Sequence, residues 1–522
     1  MPRVEIRVQS PVMKALFCIP PVAFNPRQKP VDRVYGCNYG YDYKPAIHFL
    51  QVATVAQERL GWTVRFLDCP AEDTGPEGFE FEVREGDYDA VLFWSTYLSA
   101  VEDVEAARRV TRMRPGTKIV FMGTAPTWKP DEFRVSDQTW CLLGEPEETL
   151  QDLAAIWDGK RAMEGTPGLA WYTDSKGTWA RGPFRDLLDV SKLPMPDRGL
   201  LRGAYRANRL DVHPVTTMAV SRGCGFRCTF CCTNAVDQAI ELEFKRLQET
   251  YVKRPPLRKR TVEQIVAEFQ DIAARGIKGV EIADNIFTWG KSRTEEICKG
   301  IAPLGLHWIC LARANMLHDP AMIRAMADAG CKLVYMGSES FDDGLLEDMV
   351  KELKVKDVVK AVQTCKENGV EPEVSVLIGG SPQESWRTLF NSFRTARGLG
   401  TRFVHFSAAL PAPSTQLYDE AMKNGWFHDG DFHPADNQRE VIIDLPNLSG
   451  REISLALKLA YAGQYLTPRG VWQQVRTVRS LEDLRHKTKS AMNLFGFLGA
   501  RDSSPVAIPP GRVTPRPATS VG

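Results

Sequence analysis

The sequence predicts an α/β protein: an N-terminal doubly wound parallel sheet, then a partial (β/α)6 TIM-type barrel, then a small helical C-terminal region. Three observations carry this expectation. Strand and helix signals alternate in two separate runs, 12–155 and 213–427, and such alternation implies parallel sheets. A stretch punctuated by Gly and Pro, 156–212, lies between them as a linker. Three cysteines stand directly after the first strand of the second run, at the strand ends where parallel barrels carry chemistry.

In the first run, Val12-Met-Lys-Ala-Leu-Phe-Cys-Ile reads as an apolar strand ending at Pro20-Pro21. A helix follows over about 46–60, then the strands Thr63–Asp68, Tyr88–Ser95 and Lys118–Gly123, with an Ala/Val-rich helix over about 100–113. Ligands bind such sheets at the carboxyl ends of the strands, where Ser95, Gly123 and Gly144 are expected. The linker carries a hairpin-like piece beginning at Ala170 and ends in Leu193-Pro-Met-Pro-Asp-Arg. Strands in the second run are expected at 216–221, 279–283, 307–312, 332–337, 373–378 and 402–409, with helices between them such as 261–275 and 320–329. Residues 428–500 read as helical. The last segment, 501–522, is rich in Pro, Ser and Thr without aromatics and is expected to be disordered.

A chain of 522 residues is too long for one ordinary domain and fits two or three. Basic and acidic residues nearly cancel, 66 against 65, which removes the electrostatic case for a nucleic-acid partner. No stretch reaches the apolar length of a membrane span, and the N-terminus lacks a signal-peptide pattern. Twelve cysteines without a pairing rhythm read as reduced thiols in a cytoplasmic enzyme.

The most informative stretch is Ser221-Arg-Gly-Cys-Gly-Phe-Arg-Cys-Thr-Phe-Cys. Cys224, Cys228 and Cys231, at spacing Cys-x3-Cys-x2-Cys, suit three corners of a cubane iron–sulfur cluster and leave one iron open. A zinc site using Cys232 as fourth ligand is the plainer alternative. Against it, adjacent cysteines rarely point at one metal, and no second Cys-x2-Cys or His pair lies nearby.

With this motif after the first barrel strand, the chain resembles the radical S-adenosylmethionine (SAM) enzymes. Later strand ends extend the likeness: Asp284-Asn285-Ile-Phe-Thr, Gly337-Ser-Glu-Ser340, Ile378-Gly-Gly-Ser-Pro-Gln-Glu384 and Leu410-Pro-Ala-Pro-Ser-Thr-Gln-Leu-Tyr418. Together with the N-terminal sheet and the Leu-Pro-Met-Pro-Asp-Arg linker, roughly 12–480 resembles the subfamily with a Rossmann-like cobalamin-binding (B12) domain. The resemblance implies a 4Fe–4S cluster on Cys224, Cys228 and Cys231, and SAM chelated to the open iron. It implies cofactor contacts from Phe230, Asp284, Arg313, Gly337, Glu339, Gly379 and Gly380. Cobalamin would lie at Ser95, Gly123, Gly144 and Glu145, although the Asp-x-His-x-x-Gly pattern that supplies a lower cobalt ligand is missing: His48 is the sole histidine before the linker. An external electron donor such as flavodoxin or ferredoxin is implied too.

The leading functional expectation is a cobalamin-dependent methyltransferase acting on an unactivated carbon of a small molecule. Oxidative cyclisation or rearrangement on the same architecture is the alternative, and a non-catalytic cobalamin or iron–sulfur sensor is a third. Cys298, Cys310, Cys331 and Cys365 read as core residues. Tyr35, Tyr39, Tyr41 and Tyr43 form an aromatic loop that either lines a cavity or lies on the surface. His428 and His433, near Asp429 and Asp431, read as solvated loop residues before a second metal site. Aromatic and aliphatic content over 430–500 favours a carbon-rich substrate.

Overall fold

The computed structural model describes residues 12–36, 43–173, 177–207, 209–249 and 254–475, with isolated positions 488, 491–492 and 495–499 beyond. Two α/β units stack on each other, and a helical segment packs on the edge of the second.

The first sheet has seven strands: β1 (Lys14–Ile19), β2 (Thr63–Asp68), β3 (Ala90–Trp94), β4 (Lys118–Met122), β5 (Thr139–Leu142), β6 (Leu169–Thr173) and β7 (Thr178–Arg181). Their order is β2-β1-β3-β4-β5-β6-β7, parallel through β5. The hairpin expected in the linker forms β6 and β7 and adds antiparallel to β5. Strands β1, β3 and β4 are apolar on both faces because helices α1 (Ile47–Leu60), α2 (Pro76–Gly86), α3 (Ala100–Met113), α4 (Thr124–Trp128) and α5 (Pro146–Trp157) flank the sheet. Strand order reverses between β1 and β3. A crevice opens at such a switch point, outside the carboxyl ends of the strands.

The second sheet is parallel throughout, in the order β15-β14-β13-β12-β11-β8: β8 (Val215–Met218), β11 (Gly279–Ile282), β12 (His307–Ala312), β13 (Cys331–Glu339), β14 (Glu371–Ile378) and β15 (Phe403–Ala408). Among the described residues no pairing joins β8 to β15, so the six strands form an open sheet. A short ribbon, β9 (Ser221–Arg222) with β10 (Arg258–Lys259), follows β8.

The helices of this unit begin where sequence says they must. Helix α7 (Val262–Ala274) starts at a capping box in which Thr261 and Gln264 satisfy each other's backbone groups. It buries Ile265, Phe269 and Ile272 at helical spacing, each contributing about 1.5–3 kcal/mol of apolar burial. Helix α9 (Pro320–Asp328) pairs an Asp319 cap with Pro at its first position. Helices α6 (Ala235–Gln248), α8 (Lys291–Ile301), α10 (Asp343–Asp348), α11 (Val355–Glu367), α12 (Trp386–Gly398) and α13 (Gln416–Asn424) complete the layer. The four cysteines read as core are all buried, two on strands and two on helices.

Helix α14 (Gly450–Tyr465) covers the outer edge of β15, and α15 (Pro468–Val475) follows it. The Tyr465 hydroxyl donates to the Val404 carbonyl (2.9 Å) and accepts from the Val404 N–H (3.2 Å), and the Tyr461 hydroxyl donates to the Phe406 carbonyl at 2.8 Å. These bonds occupy backbone groups that an edge strand otherwise leaves bare. Tyr39, Tyr41 and the tail 501–522 lie outside the described residues, and no described helix is long and apolar enough to cross a membrane.

Candidate active site

The carboxyl ends of the two sheets face one another across a cavity of about 610 Å³. Cys224, Cys228, Cys231 and Phe230 line one wall, while Gly36, Thr96, Tyr97 and Thr124 of the first unit line the opposite one.

The cysteine loop is built from its ends inward. Gly223 has φ +90°, and a Cβ there would stand 2.7 Å from the Pro256 carbonyl oxygen, so only glycine fits the entry turn. Its N–H donates to Asp237 Oδ1 at 2.8 Å. Arg254 donates to the carbonyls of Phe226 and Cys228, both at 2.9 Å, and Thr229 N donates to the Met349 carbonyl at 3.1 Å. Arg313 lies 3.5 Å from the Phe226 ring centroid with Nη1 3.6 Å from Cys228 Sγ, and its other arm donates to the Lys351 carbonyl. Burial pushes the Cys224 and Cys231 thiols up, and the Arg254 charge pulls both back.

This donor set fits a thiolate-ligated cluster, since cations surround three sulfurs of one loop. Among the described residues no group of three His, Cys, Asp or Glu side chains is placed to hold a single metal ion; a cubane, with each thiolate on its own iron, needs no such convergence. Cys232 Sγ instead approaches the Leu410 carbonyl at 3.4 Å.

Gly337, Glu339 and Arg313 also line the cavity. Glu339 has φ +62° at a register shift between β13 and β14, a conformation strained for a non-glycine residue. Its carboxylate accepts from Lys351 Nζ at 2.8 Å and from Ser375 Oγ at 3.4 Å. Lys351 lies 5.6 Å from the Phe230 ring centroid.

Other expected contacts stand behind the wall. Asp284 turns back to accept from Val220 N (2.7 Å) and the Ser221 hydroxyl, bracing the strand that feeds the cysteine loop; burial pushes its carboxyl up to about 7. A Cβ on Gly380 would meet Met349 Cε at 2.9 Å, so that glycine serves packing, whereas one on Gly379 would make only an ordinary contact with Ile453 Cδ1 at 3.4 Å. Ser95 is fully buried, and Gly123 has φ +105° with its Cβ position 2.6 Å from the Ser95 carbonyl oxygen. Gly144 N donates to the Thr127 hydroxyl at 3.2 Å, while Glu145 is held by Arg222 (2.8 Å) and Arg258 (2.6 Å).

The wall residues of the first unit are therefore the next ones along, Thr96, Tyr97 and Thr124. Tyr97 OH, Thr124 Oγ1 and Thr233 Oγ1 line the cavity, are buried, and make no hydrogen bond to any described residue. Three such hydroxyls invite a polar ligand and suit the amide-rich rim of a corrin. His48 is buried in α1 against Trp94 (6.1 Å) and does not line this cavity. His428 lies 3.5 Å from Asp444 and His433 3.7 Å from Asp429, without a third ligand among the described residues. Lys351 and Arg254 sit in no motif of the sequence; their positions follow only from the fold.

Glu384, at the end of the Ile378–Glu384 run, accepts from Gly379 N, yet burial pushes its carboxyl up to about 8. Its native-state value lies above the ordinary 4.5, so stability is lost as pH rises through that window and is flat above it. Glu384→Gln is expected to flatten the fall, read as urea midpoints at several pH values.

The radical SAM superfamily profile matches residues 218–396. Over 467 residues the chain is 26% identical to an uncharacterized methyltransferase of Pyrococcus horikoshii, covering 88% of this chain and 94% of that one. The fold resembles the cobalamin-dependent SAM radical enzyme OxsB, solved with aqua-cobalamin and SAM (TM-score 0.67, 14% identity, 93% of this chain and 71% of that one). It also resembles the radical SAM methyltransferase TsrM of Kitasatospora setae, solved with tryptophan and a SAM analog (TM-score 0.58, 18% identity, 79% and 76%). The profile thus places a radical SAM domain over the cysteine loop and strands β11–β14. Over both units, the fold is that of the cobalamin-dependent OxsB.

Proposed function

We propose that this chain is a cobalamin-dependent radical SAM methyltransferase acting on an unactivated carbon of a small molecule. The observation that supports it best is the single cavity joining the cysteine loop to the switch-point edge of the first sheet. When bound, the cluster with SAM supplies a carbon-centred radical and cobalamin a transferable methyl group, chemistry that belongs to the cofactors. The chain's part is placement. Cys224, Cys228 and Cys231 hold the cluster; Arg313, Glu339 and Lys351 present charges to SAM; Thr96, Tyr97 and Thr124 offer hydroxyls to the corrin. Enclosure between two sheets keeps water from the reacting atoms. Electrons would come from a flavodoxin- or ferredoxin-like donor.

The test is anaerobic incubation of the reconstituted protein with SAM, cobalamin and reductant. Formation of both 5′-deoxyadenosine and S-adenosylhomocysteine is expected. Deoxyadenosine without homocysteine product would point to cyclisation or rearrangement, and a loaded cluster without any SAM cleavage to a sensor.

A further inference from the structure

Buried arginines in this chain are matched by carboxylates at close range. Arg33 meets Asp103 at 2.7 Å, Arg198 meets Glu268 at 2.7 Å, and Arg222 lies between Glu145 and Glu147. Such pairing is what burial of a charge ordinarily requires. Arg254 departs from it. Its side chain is 13% exposed, yet the only carboxylate in ion-pair range among the described residues, Glu241, stands 4.0 Å away. Glu241 Oε2 makes no hydrogen bond to any described residue.

The Arg254 guanidinium is spent on the cysteine loop instead, through the Phe226 and Cys228 carbonyls at 2.9 Å each. Those acceptors are neutral, so the hydrogen bonds fix where the charge sits without balancing it. Burial disfavours this charge, but Glu241 and the sulfurs of Cys231, Cys228 and Cys224 hold it above the usual guanidinium range. All three loop sulfurs therefore lie within its field. Arg313, by comparison, bonds to the sulfur of Cys228 and spends its other arm on the Lys351 carbonyl.

Thiolates supply the balance that Glu241 does not. Metal ligands of this type are deprotonated, so ligation sets three negative sulfurs against Arg254. One more negative charge arrives when a cluster is reduced. Net charge and hydrogen bonding at the sulfurs are among the quantities that set a cluster's reduction potential, and a nearby fixed cation favours the reduced form by Coulomb attraction. We propose that Arg254 acts on the reaction through the cluster, raising its reduction potential with a charge that two carbonyls of the cysteine loop hold against the three ligating sulfurs. The flavodoxin- or ferredoxin-like donor is oxidised by one electron and the cluster is reduced by one. The inference rests on the cluster assignment and not on methyl transfer.

An anaerobic redox titration of the reconstituted protein tests it, followed by the electron paramagnetic resonance of the reduced cluster. SAM is left out, so that a lost contact to SAM cannot mimic a shift. Arg254→Gln should keep the iron–sulfur absorbance but lower the ratio of reduced to oxidised cluster at a fixed potential about tenfold, a shift of about 59 mV for one electron. Arg254→Lys keeps the charge but not the planar fork, and its potential should stay much closer to the parent's than to that of Arg254→Gln. An unshifted Arg254→Gln, equal shifts in the two variants, or loss of the cluster from Arg254→Gln would overturn the proposal. The last two results would assign Arg254 to holding the loop in shape. A parent protein without any cluster signal would overturn the ligand assignment and this proposal together.

Discussion

Cys228→Ala is expected to abolish the brown iron–sulfur absorbance and reduce SAM cleavage to background. Cys228 is the most buried of the three loop cysteines, with 4% exposure, and its sulfur contacts Arg313. The loop around it is held by backbone bonds to Arg254 and Met349 that do not involve the thiol. Removing one sulfur therefore costs about 1 kcal/mol, the ordinary scale of a point substitution, while it leaves the cluster two protein ligands. Merely supporting residues at metal sites cost about 10–100-fold when changed, so loss of a ligand should exceed that range. Cys232→Ala should retain both colour and cleavage. If Cys232→Ala bleaches the protein and Cys228→Ala does not, the ligand assignment is wrong.

Arg222→Met should give the largest loss of stability, about 3–5 kcal/mol, because it strands the buried carboxylate of Glu147 while Arg258 still holds Glu145. Arg222 lies just before Gly223 and the first cysteine, and it reaches Glu145 at 2.8 Å and Glu147 at 2.5 Å, both at the start of α5 in the other unit. All three side chains are nearly inaccessible, at 4%, 4% and 1% exposure. Denaturant unfolding followed by tryptophan fluorescence would read the loss. Adding Glu147→Gln to Arg222→Met should restore most of it, since the stranded charge is then gone. Cluster loading should also fall in the single variant, because the entry to the loop is pinned through this pair. A single variant as stable as the parent would show that the pair contributes nothing.

The α/β architecture was legible because its signals are local. β2 occupies Thr63–Asp68 and β12 His307–Ala312, as their apolar runs imply, and α7 and α9 begin at the caps the sequence offers. The loop cysteines were legible for the same reason: their spacing is their signal. Contacts set by tertiary placement were not. Ser95 and Thr96 are equivalent in sequence terms, but just past the end of β3 one falls into the core and the next lines the cavity. Glu145 has the look of a strand-end ligand residue until Arg222, far along the chain, claims it. Asp284 turns back to Ser221 for want of any local rule forbidding it.

Tyr461 and Tyr465 hold two jobs at once: they line the cavity and satisfy the β15 backbone. This constrains how the enzyme could diversify. Altering either residue to admit a new molecule would bare a strand edge of the kind that templates pairing between chains, so a gain in breadth at this wall would be purchased with self-association. Phenylalanine at 465 would keep the ring while uncovering Val404, and light scattering should detect it as aggregation before any change in specificity. Diversification would be freer at Ser375 and Ser407, whose side chains face the cavity without sealing an edge.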